Sequence, residues 1–181
     1  KYAESKDLEV VVSNTTEAGI CLDESDVSLD FSTTTPHSYP GKLLALLKRR
    51  YEVLKDEYPL AIIPCELIDD NGDKLKEVLV KLASLKGYSA SLINYIEHVT
   101  HYTSTLVDRI VPGFPKDEFN DLCQEYGYID NNMVKGEYFH LYVLKSEEFV
   151  EKKFPVHQVG LHAIYVDDIH PYKQRKVRIL N

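Results

Sequence analysis

An α/β fold built on a parallel sheet is predicted by three features of the sequence. Residues 8–13 (LEVVVS) and 60–64 (LAIIP) are continuous apolar runs, each followed abruptly by polar residues. Runs of this kind and length read as strands buried on both faces, as in a parallel sheet. Between them, residues 41–57 place Leu43, Leu46, Leu47, Val53 and Leu54 on one helical stripe. Strand, helix, strand is the βαβ order, which joins parallel strands by a crossover.

The remaining elements follow in order. Residues 23–40 are rich in Ser, Thr and Asp and contain Pro36 and Pro40, which predicts a loop or lid-like excursion. Asp70-Asn71-Gly72-Asp73 reads as a turn and helix start. The helix over 74–85 carries Leu75, Val78, Leu79 and Leu82 at helical spacing. A further helix is expected over 89–98, and a short strand over 103–110 that stops at Pro112-Gly113. That breaker pair is the expected boundary between a first unit, residues 1–112, and a second, residues 113–181. Beyond it come a helix over 117–126 and an aromatic strand over 138–144, whose Tyr138, Phe139 and Tyr142 are expected in the core. A last helix over 167–181 starts at acidic residues, with Pro171 in its first turn.

Composition bounds the function. The 181 residues carry a net charge of −8, with 28% charged and 44% hydrophobic residues. Such a chain has no clustered basic face for a phosphate backbone, so no nucleic-acid partner is expected. No apolar run reaches the roughly 18 residues of a membrane span, and the first residues do not read as a signal peptide. Cys21, Cys65 and Cys123 lie far apart without a CxxC pair, which argues against a disulfide framework or a cysteine zinc site. Free thiols in an acidic chain point to a reducing cytoplasm. His98 and His101 have no third ligand at metalloenzyme spacing, so no metal site is expected. His140 is expected to be packed rather than catalytic.

A parallel sheet that binds a dinucleotide begins with a Gly-rich turn, G-x-G-x-x-G. No two glycines here stand two residues apart. The expectation is therefore an internal fragment whose phosphate loop lies upstream, inactive by itself. Four strings settle the resemblance: SNTTEAGI (13–20), PCELIDDNGDKLKE (64–77), TLVDRIVPG (105–113) and DDIHPYKQRKVRILN (167–181). In this order they resemble the long-chain mannitol dehydrogenase family, most closely the branch that interconverts a keto-hexuronate and its aldonate (tagaturonate and altronate). The resemblance implies the later part of a Rossmann-type NAD-binding domain, followed by the start of a mostly helical substrate domain. It also implies NAD as cofactor, a small sugar acid as substrate and hydride transfer without a metal.

The site residues follow from that resemblance. The family's catalytic lysine lies in a K-x-x-x-x-N helix, matched here by Lys176 and Asn181. Lys176 would act as acid–base and Asn181 would sit about 1.4 helical turns away, able to flank the same substrate. From spacing alone, Lys173, Arg175, Lys176 and Arg178 could equally form a solvated basic face. Asn14, Thr15 and Thr16 follow a strand, where ligands of open α/β sheets bind, and could hold ribose or the nicotinamide amide; a plain side-chain-bonded turn is the alternative. Cys65 and Glu66 end the second strand and are the other candidates for the cofactor. Glu17 could meet a substrate hydroxyl or favour a helix N-terminus. Asp108 would meet substrate hydroxyls or pair with Arg109.

Two departures bear on substrate. Polyol-oxidising relatives carry Asp-Asn where this chain has Glu66-Leu67, so no amide is available there. Lys173 stands where those relatives often have glutamate, and a lysine suits a substrate carboxylate. A nucleophilic role for Cys65 is not expected, because hydride transfer needs no covalent intermediate. The competing readings are a polyol or fructuronate-type dehydrogenase of the same family, a non-catalytic nucleotide- or sugar-binding module, and an interaction fragment without a ligand.

Overall fold

The computed structural model describes residues 1–174. Lys176 and Asn181, and the rest of residues 175–181, lie outside the described residues. The first sheet has the order β1-β2-β3 and is parallel throughout. Strand β1 (Val10–Ser13) pairs with β2 (Ala61–Pro64), Val10 opposite Ala61 and Ser13 opposite Pro64. Strand β3 (His101–Tyr102) lies on the other side of β2. Both long apolar runs are thus parallel neighbours, as expected. They differ in burial: every residue of β2 is buried, whereas Val12 of β1 is 51% exposed. Among the described residues β1 pairs with β2 alone.

Four helices, two long and two short, precede or flank these strands. Helix α1 (Ser25–Ser28) lies inside the 23–40 excursion, α2 (Tyr39–Leu54) joins β1 to β2, and α3 (Asn71–Leu85) follows β2. Helix α4 (Ala90–Asn94) continues as a π-helical turn, Tyr95–Val99, before β3. The Ser38 side chain caps α2 by accepting from the Gly41 N–H, with Pro40 in the first turn, so the helix starts two residues before the predicted stripe. Leu43, Leu44 and Leu47 of α2 meet Leu75, Leu79 and Leu82 of α3, with Leu60 and Ile62 from the sheet. Each such leucine, fully buried, contributes about 1.5–3 kcal/mol. Arg50 is buried in the same layer, where its guanidinium donates to the carbonyls of Tyr58 (2.9 Å), Ser5 (2.8 Å) and Leu8 (2.9 Å). It ties α2 to the chain entering β1 and β2.

The 23–40 excursion is fastened rather than lid-like. The buried Asp26 carboxylate accepts from His37 N–H (2.7 Å), Ser38 N–H (3.1 Å) and Ser38 Oγ (2.6 Å). Burial alone would raise the Asp26 carboxyl, but the bonds from Ser38 and His37 outweigh it and hold the group below its ordinary range. Just past α3, Lys86 Nζ donates to the carbonyls of Asp26, Val27 and Leu29 and lies 3.8 Å from the Phe31 ring centre.

A second sheet has the order β4-β5-β6. Strand β4 (Ser104–Asp108) follows β3 after Thr103 alone, runs antiparallel to β5 (Leu141–Lys145), and β5 is parallel to β6 (Ala163–Val166). Strand β6 was not expected. The chain on either side of Pro112-Gly113 therefore shares one sheet, since β4 precedes that pair and β5 follows it. Between them α5 (Phe119–Tyr126) ends at Gly127 in the left-handed conformation (φ 75°) and has no buried residue. Helix α6 (Glu148–Lys153) packs Val150 with Leu144, Ala61 and Ile63, covering the other face of β2. The aromatic expectation is corrected in part. Tyr142 packs against that cluster, but the strand begins only at Leu141, leaving Tyr138 99% exposed and Phe139 49% exposed.

The last described turn is helical over 170–174. Asp168 caps it, accepting from the His170 N–H at 3.0 Å. Ile169, fully buried with Leu106 and Val143, pins the helix start to the second sheet.

Candidate functional site at the strand ends

The C-terminal ends of β1 and β2 and the beginning of β4 lie side by side, and hydrogen bonds explain how. Asn71, at the start of α3, is fully buried. Its Nδ2 donates to the carbonyls of Pro64 (3.0 Å) and Glu66 (2.9 Å) and to Thr105 Oγ1 (3.2 Å), while its Oδ1 accepts from Thr105 N–H (2.8 Å). Thr105 Oγ1 in turn donates to the Pro64 carbonyl at 2.7 Å. One amide thus joins the end of β2, the start of α3 and the beginning of β4. Gly72 permits the close approach: a Cβ there would stand 2.7 Å from Ser104 N.

The loop after β1 is held by Glu66. That side chain is 2% exposed, and its carboxylate accepts from Ser13 Oγ (3.1 Å), Thr15 N–H (3.0 Å) and Thr15 Oγ1 (2.9 Å). The Cys65 N–H donates to the Ser13 carbonyl at 2.7 Å, closing the same corner. Gly19 completes the turn; a Cβ there would collide with Thr15 Oγ1 at 1.8 Å. Asn14, Thr15, Thr16 and Glu17 are exposed above this corner. Glu66 was expected to meet a cofactor; its carboxylate hydrogen-bonds Ser13 and Thr15 within the protein. Tyr39 lies near Ser13, and burial pushes its phenol up to about 12, only partly opposed by the neighbouring Ser13 hydroxyl.

Cys65, Glu66, Leu67, Thr105, Val107 and Lys173 line a cavity of about 350 Å³ at the end of β2 and along β4. Cys65 Sγ lies 3.4 Å from Tyr142 Oη. Burial pushes the Cys65 thiol up and the Tyr142 phenol up, so the sulfur stays protonated at neutral pH and is a poor nucleophile. Lys173 is 19% exposed and reaches Asp69 Oδ1 (3.1 Å) and Asp70 Oδ1 (3.5 Å). It therefore joins the helix at 170–174 to the loop before α3, a partnership that spacing did not reveal. Asp108 is half-buried at the end of β4, opposite Leu141, and Arg109 donates to the Glu137 carbonyl at 3.0 Å.

The structure thus brings Asn14, Thr15, Thr16, Cys65 and Glu66 to one corner, with Lys173 on the adjoining cavity. The roles expected of Lys176 and Asn181 fall outside the described residues. Asn71, Thr105 and Tyr39 were missed; only the Asn-Gly pair at the helix start hinted at the first. The histidines stand apart from this corner. His98 is exposed, His101 pairs with Glu147 (2.9 Å), and His140 is half-buried against the His162 ring. Among the described residues, no group of three or more His, Cys, Asp or Glu side chains is placed to hold a metal ion. No helix of the described residues is long and apolar enough to cross a membrane.

A mostly parallel sheet with a polar loop at its strand ends defines a Rossmann-type protein. Residues 2–158 match the Mannitol dehydrogenase Rossmann domain, and the chain belongs to that family. It is 40% identical over 183 aligned residues to the altronate oxidoreductase of Bacillus subtilis (strain 168), covering 100% of this chain and 38% of that protein. The altronate oxidoreductase of Phocaeicola vulgatus is likewise 40% identical, with the same coverage. Among solved structures, the Pseudomonas fluorescens mannitol 2-dehydrogenase ternary complex with NAD and D-mannitol superposes with a TM-score of 0.74 at 22% identity, over 97% of this chain and 36% of that one. A substrate-free D-sorbitol dehydrogenase gives 0.75 at 19% identity, over 98% of this chain and 37% of that one. These two likenesses show the fold. The chain spans 38% of the length of the curated relatives named above.

Proposed function

We propose that the intact protein is an NAD-linked oxidoreductase that interconverts a keto-hexuronate and its aldonate, tagaturonate and altronate, without a metal. The observation that carries this reading is Lys173. Lys173 lines the strand-end cavity, its ammonium paired with Asp69 and Asp70, next to the corner where Asn14, Thr15 and Thr16 are exposed. A cation beside a strand-end site suits a substrate with a carboxylate. The 40% identity to altronate oxidoreductases supports the same substrate class.

The donor set at the corner suits a hydroxyl-rich ligand. Asn14 and Thr16 present an amide and a hydroxyl at a strand end, the position at which parallel sheets bind nucleotides. These residues and Thr15 would hold the ribose or nicotinamide amide. When bound, the nicotinamide supplies the hydride donor or acceptor. Lys176 Nζ would take the hydroxyl proton in oxidation and return it in reduction, a role that needs its pKa lowered toward neutrality. Asn181 would hold the reacting oxygen, and Asp108 and Glu17 the other hydroxyls. Lys173 would exchange part of its pairing with Asp69 and Asp70 for the substrate carboxylate. The residues from 113 onward are proposed to lead into the substrate side, and the cytoplasm is the proposed setting, where Cys21, Cys65 and Cys123 would stay reduced.

NADH consumption by the intact protein, with tagaturonate or fructose as acceptor and a chelator present, tests this reading. Turnover of the uronate in chelator is expected. Loss of activity in chelator with recovery on adding zinc would refute the metal-free mechanism. Binding of either ligand without any turnover would favour the non-catalytic module.

A further inference from the structure

We infer that Glu66 is a positioning residue: it sets the place of the loop after β1 by the reach of its side chain, and does not act on ligands by its charge. The inference rests on the proposed reading that this loop meets the cofactor. Glu66 is 2% exposed, and among the described residues its carboxylate accepts from Ser13 and Thr15. Three donors converge on two oxygens, one of them the Thr15 backbone N–H. The side chain therefore holds main chain as well as hydroxyls. Through Thr15 it sets the position of the neighbouring Asn14 and Thr16, which are exposed. The other end of the lever is rigid. The Glu66 carbonyl accepts from Asn71 Nδ2 at 2.9 Å, and the Cys65 N–H is held by Ser13 at 2.7 Å. The ligand loop of β1 is thus hung from the end of β2, and the link spans 51 residues of sequence.

Length and charge can be separated by substitution. Glu66→Gln keeps the reach: its carbonyl oxygen can still accept from Thr15 N–H and Oγ1, and its amide can donate to Ser13 Oγ, because a hydroxyl serves as donor or acceptor. Glu66→Asp keeps the charge but shortens the side chain by at most about 1.5 Å, which takes contacts now near 3 Å beyond hydrogen-bond range.

The intact protein and both variants are compared for NADH KM, for kcat, and for amide hydrogen exchange at Thr15. For Glu66→Asp we expect an NADH KM raised about tenfold or more, a kcat within about threefold, and exchange at Thr15 about tenfold faster. Glu66→Gln should stay within about threefold of the parent in all three. The reverse order, Gln impaired and Asp tolerated, would overturn the inference in favour of a direct charge effect. So would unchanged exchange at Thr15 in Glu66→Asp. Should that variant fail to fold, Ser13→Ala removes one donor from the same carboxylate; faster exchange at Thr15 supports the inference and an unchanged rate overturns it. If the parent does not bind NADH at all, the functional reading fails, while the exchange rates still decide the role of Glu66.

Discussion

Replacing Asn71 tests the joint that assembles the strand ends. In Asn71→Ala, the Pro64 carbonyl keeps Thr105 Oγ1 (2.7 Å) and the Glu66 carbonyl keeps the Ile68 N–H (2.8 Å). The Thr105 N–H is different: its described acceptor is Asn71 Oδ1, and Thr105 is 6% exposed. A buried donor left unpaired costs about 1–3 kcal/mol, and each lost donation from the amide about 0.5–1.5 kcal/mol. Counting the amide's two N–H groups, the sum is about 2–6 kcal/mol, which for a chain of this size lowers Tm by about 4–24 °C. Asn71→Asp should do worse at neutral pH. Its carboxylate could still accept from Thr105 N–H, but its second oxygen would face the Pro64 and Glu66 carbonyls in a fully buried site. Burial raises the pKa of such a group above its unfolded value of about 3.9. The penalty is then absent below that value and grows as pH rises through the raised folded pKa. Thermal melts followed by circular dichroism at pH 7 and pH 5 check both variants, and Asn71→Asp should recover relative to Asn71→Ala on acidification. A Tm for Asn71→Ala within about 2 °C of the parent, or Asn71→Asp the more stable of the two at pH 7, would refute the reasoning.

Three further outcomes are expected. Lys176→Ala should lower kcat for alcohol oxidation by about 10²–10⁴-fold while Arg175→Ala stays within about threefold; similar mild losses in both would mean a general electrostatic patch. Tagaturonate should exceed fructose in kcat/KM by about 10²-fold or more, and Lys173→Ala should erase most of that ratio through the KM of the uronate; a ratio unchanged in the variant would remove Lys173 from the carboxylate site. Asp26, held below the ordinary carboxylate range, stabilises the fold above about pH 3.9, and this contribution is lost as pH falls from there through its lower folded pKa. Asp26→Asn should therefore flatten the acid limb of a stability–pH curve, and an unaltered limb would count against the clasp.

The legible part of the fold was the part written in local pattern. The runs at 8–13 and 60–64 identify two parallel strands because their composition leaves little else to form, and the leucine stripes of α2 and α3 identify the helices that cover β2. Burial of the two runs was not equally legible. Two similar apolar runs do not reveal how much of each is covered by neighbouring elements, and Val12 is exposed whereas all of β2 is buried. Strand β6 was missed because its four residues, AIYV, are too short to show a period. Tyr138 was misplaced because aromatic content marks a strand only where backbone partners exist.

The strand-end position of the candidate residues was legible in the sequence, but their hydrogen bonding was not. The end of a parallel strand is a local feature, so Asn14, Thr15, Thr16, Cys65 and Glu66 could be placed at one corner. Where a side chain points depends on loops remote in sequence. Glu66 turns back to Ser13 and Thr15, and Lys173 finds Asp69 and Asp70. Asn71 looked like a turn residue because Asn-Gly commonly is one, and its buried hydrogen bonds to Pro64, Glu66 and Thr105 arise only when β4 packs beside β2.

The most direct test of the account is the fate of a labelled hydride. The intact protein would be given tagaturonate, a chelator and NADH carrying deuterium at C4 on the transferred face, each face being tried in turn. The account predicts that one of the two labels appears as a single deuterium on the carbon that bears the new hydroxyl of altronate. Uronate left unreduced with both labels, or reduced product free of deuterium from either, would contradict it.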